Sequence, residues 1–149
     1  MADFTERLKN LLKENHMTLP AFRDVMEIGK NYIYEWTTGH RQPTSLYLIK
    51  IAEYFDVSVD YLMGRTDIKQ KFRNDAKCNF KKNFCTLMVN DSVETLTPLL
   101  KQIGIHDTAF TSYIAGHGMR FVTVCKLADY FKVSADVVLG LVDARKETR

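Results

Sequence analysis

KIAEYFDVSVDYLMG, Lys50 to Gly64, returns 76 residues later as KLADYFKVSADVVLG, Lys126 to Gly140. In the first copy Leu48, Ile51, Ala52 and Phe55 stand at helical spacing. Val57 and Ser58 break the pattern, and Tyr61 and Leu62 resume it, so two short helices are expected. Ser58 is placed to cap the second helix, Asp60 lies in its first turn where the helix dipole favours a negative charge, and Gly64 suits a left-handed end. Ser134, Asp136 and Gly140 repeat those three signals.

The repeat extends upstream. With a shift of 77, Met17 to Gly39 lies over Glu94 to Gly116 without a gap, pairing Thr18 with Thr95, Phe22 with Leu99, Ile28 with Ile105, Ile33 with Phe110 and Trp36 with Tyr113. The second copy lacks one residue after Gly116, where Pro43 has no partner, and a loop tolerates such a loss. Phe4, Leu8, Leu11 and Leu12 form the apolar stripe of a first helix, whose counterpart is expected to hold Cys85, Met88 and Val89. The fold class is therefore all-α: two tandem five-helix units over residues 1–66 and 85–149, joined by a basic linker over residues 67–84.

Charge agrees with that division. Residues 1–66 carry 8 basic and 9 acidic side chains, residues 67–84 carry 6 and 2, and residues 85–149 carry 7 and 7, so the positive charge collects in the linker. Whether Lys69, Lys71, Arg73, Lys77, Lys81 and Lys82 track a phosphate backbone or form an ordinary solvated connector stays open at this point. Cys78, Cys85 and Cys125 are odd in number and stand near no histidine pair, which supports neither a disulfide framework nor a zinc site and fits reduced thiols. The histidines are scattered, and no metal or other cofactor is expected. There is no nucleophile elbow, phosphate-binding glycine loop or paired metal-ligand motif, so no catalytic residue is assigned and an enzyme is not expected. No apolar run reaches bilayer length and MADFTERLKN has no signal-peptide core, which leads to the expectation of a soluble cytoplasmic protein without a membrane partner.

Thr18 can cap a helix running to about Met26, with Pro20 harmless near its start. Glu27, Ile28 and Gly29 make a turn, and Lys30 to Thr38 make the next helix, closed by Gly39. Two helices joined so tightly cross steeply, as in a helix-turn-helix. The order T-L-x-x-F, then I-x-x-x-x-I-x-x-W-x-x-G-x-x-x-P, then L-x-K-I-A-x-x-F-x-V-S-x-D-Y-L-x-G resembles the Xre family of lambda-repressor-like regulators over nearly all of residues 4–66. The resemblance implies that the helix starting at Lys30 lies in the major groove of an operator, and that dimers occupy two half-sites. This copy departs from the family at Arg23, where a small alanine is usual, and at Glu27, where the turn usually has glycine.

The residues of that helix able to reach bases are Lys30, Asn31, Tyr34 and Glu35. Asn31 suits adenine, Lys30 suits guanine or phosphate, Glu35 suits cytosine N4, and Tyr32 and Tyr34 suit a thymine methyl or a phosphate. His40, Arg41 and Gln42 stand where the family grips the backbone. The corresponding helix of the second copy begins His106, Asp107, Thr108 and offers little to a polyanion, so that copy is read as degenerate, serving dimerisation or regulation. The leading expectation is a sequence-specific DNA-binding transcriptional regulator, a phage or bacterial repressor acting as a homodimer or intrachain pseudo-dimer, with a regulatory protein as a further partner. The alternative is a protein-binding antirepressor or inhibitor that keeps the fold without reading DNA.

Overall fold

The computed structural model describes residues 3–75 and 77–146. They form ten α-helices and a short terminal 3-10 turn, Ala144–Lys146, and divide between Phe72 and Arg73 into two compact units.

In the first unit the elements are α1 (Phe4–Glu14), α2 (Leu19–Met26), α3 (Lys30–Thr38), α4 (Ser45–Phe55) and α5 (Val59–Leu62). The Asp3 side chain accepts from the Glu6 backbone N–H at 2.9 Å and starts α1, whose face of Phe4, Leu8, Leu11 and Leu12 is buried. That face packs on α3 and α5 and meets Phe22, Met26, Trp36, Leu48, Ile51 and Leu62 in one core. Burying each of these large side chains stabilises the unit by roughly 1.5–3 kcal/mol, before the entropy of ordering is counted against it. Two polar ties orient the helices: Thr5 donates its hydroxyl proton to the Trp36 carbonyl at 3.0 Å, and Lys50 Nζ donates to the Met26 carbonyl at 2.7 Å. The second tie satisfies an orphan carbonyl at the end of α2 with a positive charge, which the helix dipole favours.

The second unit runs α6 (Phe80–Asn90), α7 (Leu96–Ile103), α8 (Asp107–Ile114), α9 (Phe121–Phe131) and α10 (Ala135–Val138). Ser58 and Ser134 accept from Tyr61 N–H and Val137 N–H at 3.1 and 3.2 Å, and Gly64 and Gly140 take left-handed φ of 79° and 78°. Glycine is favoured at 140 for a second reason, since a Cβ there would overlap the backbone of Asn79 and Phe80 and force it to shift.

Two sequence expectations change here. The helix expected to bury Cys85, Met88 and Val89 instead buries Asn83, Phe84 and Leu87, and leaves Val89 76% exposed. Its offset from α1 is 76, not 77, because the loop before α7 has one residue more than the loop before α2. An Asn79 cap, accepting from Lys82 N–H at 2.8 Å, starts α6 at Phe80, inside the stretch read as linker.

That stretch, 67–84, is not a free connector. Ser58 N–H donates to the Gln70 carbonyl at 2.8 Å, Phe72 N–H to Asp56 at 3.2 Å, and Lys69 to Glu14 at 2.8 Å, holding 67–72 to the first unit. The bond from Glu14 holds the Lys69 ammonium above the usual lysine range. Asp75 N–H donates to the Leu141 carbonyl at 2.7 Å and ties the following residues to the second unit. Backbone polar groups found partners where composition alone showed only charge.

Candidate nucleic-acid interface

Thr18 accepts from Ala21 N–H at 3.3 Å and opens α2, with Pro20 in the first turn. Glu27 then takes a left-handed φ of 55°, and Ile28 N–H returns to the Arg23 carbonyl at 3.3 Å. The turn closes as a glycine would close it, although the residue is glutamate. Gly29 begins α3 without a side-chain cap, and Gly39 ends it at φ 80°.

Ile33 and Trp36 face the core, which turns the opposite side of α3 to solvent. Lys30, Asn31 and Tyr34 are exposed on that side, Tyr34 by 60%. Tyr32 is 46% exposed but leans towards α4, its ring 5.7 Å from Tyr47 and 6.0 Å from Trp36. Glu35 is half-buried and lies 3.9 Å from Arg41, whose N–H also returns to the Glu35 carbonyl. Gln42 is exposed, and the buried Pro43 anchors the loop behind it.

His40 is held more firmly than sequence suggested. Its ring lies 5.8 Å from Tyr34, and its Nδ1 stands 2.7 Å from the Thr38 hydroxyl. The Thr38 hydroxyl also lies 2.7 Å from the Tyr34 carbonyl, so it stands between the ring and the last turn of α3. Tyr34, Glu35, Thr38, His40 and Arg41 thus form one group, Lys30 and Asn31 stand at the helix start, and Tyr32 lies apart.

Sequence reasoning missed Thr38, which fixes His40, and Tyr47, which supports Tyr32. A threonine four residues after Tyr34, directly before the glycine, was the available signal.

Residues 8–62 match the helix-turn-helix family model. This segment is a helix-turn-helix domain of the Xre type. The chain is similar to the HTH-type transcriptional regulator ImmR of Bacillus subtilis, 28% identical over 94 residues, covering 58% of this chain and 74% of the relative. It is also similar to two regulators of the same organism, YqaE, itself described as uncharacterized, at 31% over 74 residues, and AnsR at 32% over 65 residues. Those matches cover 50% and 44% of this chain and 64% and 56% of the relatives. No solved structure matches. Glu27 and Arg23, the departures noted above, both lie inside the matched helix-turn-helix domain, and the domain's turn is regular despite them.

The second unit presents a different surface at the same place. Helix α8 opens with Asp107 and Thr108, both exposed, and Thr111 donates its hydroxyl proton back to the Asp107 carbonyl at 2.9 Å. Beyond α8, Met119 is buried and Arg120 is exposed at the start of α9.

The one metal-suited group among the described residues is Asp75, Cys78 and Asp143, whose ligand atoms lie within 4.8 Å of one another. Arg145 already occupies both Asp143 oxygens, at 3.2, 3.3 and 2.8 Å, so the carboxylate is neutralised by a guanidinium. Partial burial, together with the charges of Asp75 and Asp143, pushes the Cys78 thiol above its ordinary range, against the thiolate a metal requires.

Proposed function

We propose that the chain is a sequence-specific DNA-binding transcription regulator that reads an operator with α3 in the major groove. The observation that carries this reading is the outward placement of Lys30, Asn31 and Tyr34 on a helix locked from behind by Ile33 and Trp36. A major groove admits one helix, and a preorganised ridge loses little entropy on docking. Asn31 takes an adenine edge, and Lys30 takes guanine or a phosphate. His40, Arg41 and Gln42 fix the register on the phosphate backbone. Glu35, compensated by Arg41, is a poorer base contact than the other three. The named regulators to which the chain is similar support the same reading.

The second unit, with an acid in the place of Lys30, serves assembly or regulation rather than groove reading. The protein acts as a repressor, and pairing of two chains supplies the two half-sites such modules use.

Selection of duplexes from a randomised pool by the purified full chain tests the reading. One enriched motif with affinity falling steeply in salt is the expected result. A pool unenriched after repeated rounds would remove DNA reading and leave the fold to a protein-binding role.

A further inference from the structure

Beside the outward ridge of α3 lies an open cleft of about 230 Å³, walled by Leu19, Pro20, Ile33 and Tyr34, with Arg23 and Lys30 at its rim. No acidic side chain lines it, and neither cation has an ion-pair partner among the described residues. Leu19 is 41% exposed on one wall and Tyr34 60% exposed on the other.

A phosphate backbone accounts for the cations but not for the apolar side chains that line the cleft with them. The volume lies below the ~300 Å³ at which pockets for free small molecules begin, and it suits the insertion of one large apolar side chain. The second unit supplies an internal comparison. There the position of Arg23 holds Leu100, which is buried, and the position of Lys30 holds Asp107, so the charged rim belongs to the first unit alone.

We propose that this cleft is a docking site for a partner protein segment that inserts one large apolar side chain and flanks it with carboxylates facing Arg23 and Lys30. An apolar anchor in a pocket surrounded by charge complementarity is how a short segment gains both affinity and orientation. Lys30 and Tyr34 belong to the cleft and to the groove-facing ridge at once, so an occupied cleft and a bound duplex exclude each other. That consequence rests on the DNA-binding reading; the docking itself does not.

The test is selection of a displayed library of short random peptides on the immobilised full chain, without DNA. Enriched peptides should carry an aromatic or leucine residue within two positions of Asp or Glu. On binding, one such synthetic peptide should shift the amide resonances of Leu19, Arg23, Lys30 and Thr37. Arg23→Glu should weaken it at least tenfold, and so should Lys30→Glu, at an exposed helix start where folding is not at risk; circular dichroism checks both variants.

Failure to enrich any peptide, enrichment of peptides without carboxylates, resonance shifts elsewhere, or charge reversals that change affinity less than twofold would each overturn the proposal. So would a Leu19→Asp chain that binds its selected duplex tenfold more weakly while peptide affinity is unchanged, because the cleft would then serve nucleic acid. A peptide seated in the cleft of a chain that selects no duplex would keep the docking site and remove the DNA reading.

Discussion

Arg7 and Asn83 stand on the same turn of the first helix of their respective units, 76 residues apart, and each closes its unit by donating to a carbonyl beyond the fifth helix. Arg7 Nη2 donates to Thr66 at 2.9 Å and to Asp67 at 2.6 Å, with its guanidinium 4.0 Å above the Tyr61 ring. Asn83 Nδ2 donates to Val142 at 2.6 Å and to Val137 at 2.8 Å, and its Oδ1 accepts from Ala144 N–H at 3.3 Å. Thr66 and Val142 are themselves 76 residues apart, so the bond persists while the side chain making it has changed.

Asn83→Ala takes the side-chain partner from the Val142 carbonyl and the Ala144 N–H in the interior of the second unit, and removes one of the two bonds to the Val137 carbonyl, which keeps the Gly140 N–H. An unsatisfied buried group costs about 1–3 kcal/mol, and partial rescue by water sets the expected loss at about 3 kcal/mol. Trp36, the single tryptophan, reports the first unit, whereas far-UV circular dichroism reports both. Denaturation should therefore show helix loss ahead of the Trp36 transition, which coincident and unshifted curves would contradict.

Gly140→Ala adds a methyl that overlaps the Asn79 and Phe80 backbone, at a φ of 78° that L side chains rarely adopt. The expected cost is roughly 3 kcal/mol, read as a lower midpoint of the second unit's transition. Gly116→Ala, with left-handed φ but open space around it, should cost visibly less.

Glu27→Gly should stabilise the first unit by about 1 kcal/mol, because glutamate is held at a left-handed φ of 55° where its counterpart in the second unit is Gly104. Glu27→Ala keeps the Cβ and should bring no such gain. Urea denaturation followed at Trp36 distinguishes the two.

Cys85 is exposed, and Cys78 is partly covered with its thiol raised by that cover and by Asp75 and Asp143. A raised thiol pKa means less thiolate at pH 8, so iodoacetamide should label Cys85 first and Cys78 slowly. Asp75→Asn removes one negative charge and should speed Cys78. Mass spectrometry of the time course reads both rates, and equal rates in the unmodified chain would contradict the assignment.

Much of the scaffold was legible because short-range chemistry dictates it. Thr18, Ser58 and Ser134 cap where their hydroxyls meet free amides, and Gly39, Gly64 and Gly140 end their segments at positive φ. The exposed start of α3 followed from Ile33 and Trp36 pointing the other way. What escaped depended on contacts distant in sequence. Asn83 reads as a surface residue until Val137, Val142 and Ala144 surround it, and with it went the register of α6. The linker read only as basic, its role open, because its anchors, Glu14, Asp56 and Leu141, lie far from it along the chain. In the candidate interface, Tyr34, His40 and Arg41 were named from position, but their joining through Thr38 and Glu35 needed the geometry of the helix end.

The central claim is that Asn31 reads a base. The most direct measurement is a double-substitution cycle: affinities of the full chain and of Asn31→Ala for a selected operator and for versions with each base pair replaced in turn. The account predicts that Asn31→Ala erases about 1–3 kcal/mol of discrimination at one A·T pair and leaves the other positions unchanged. Discrimination preserved at every position, or weakened equally at all of them, would contradict it.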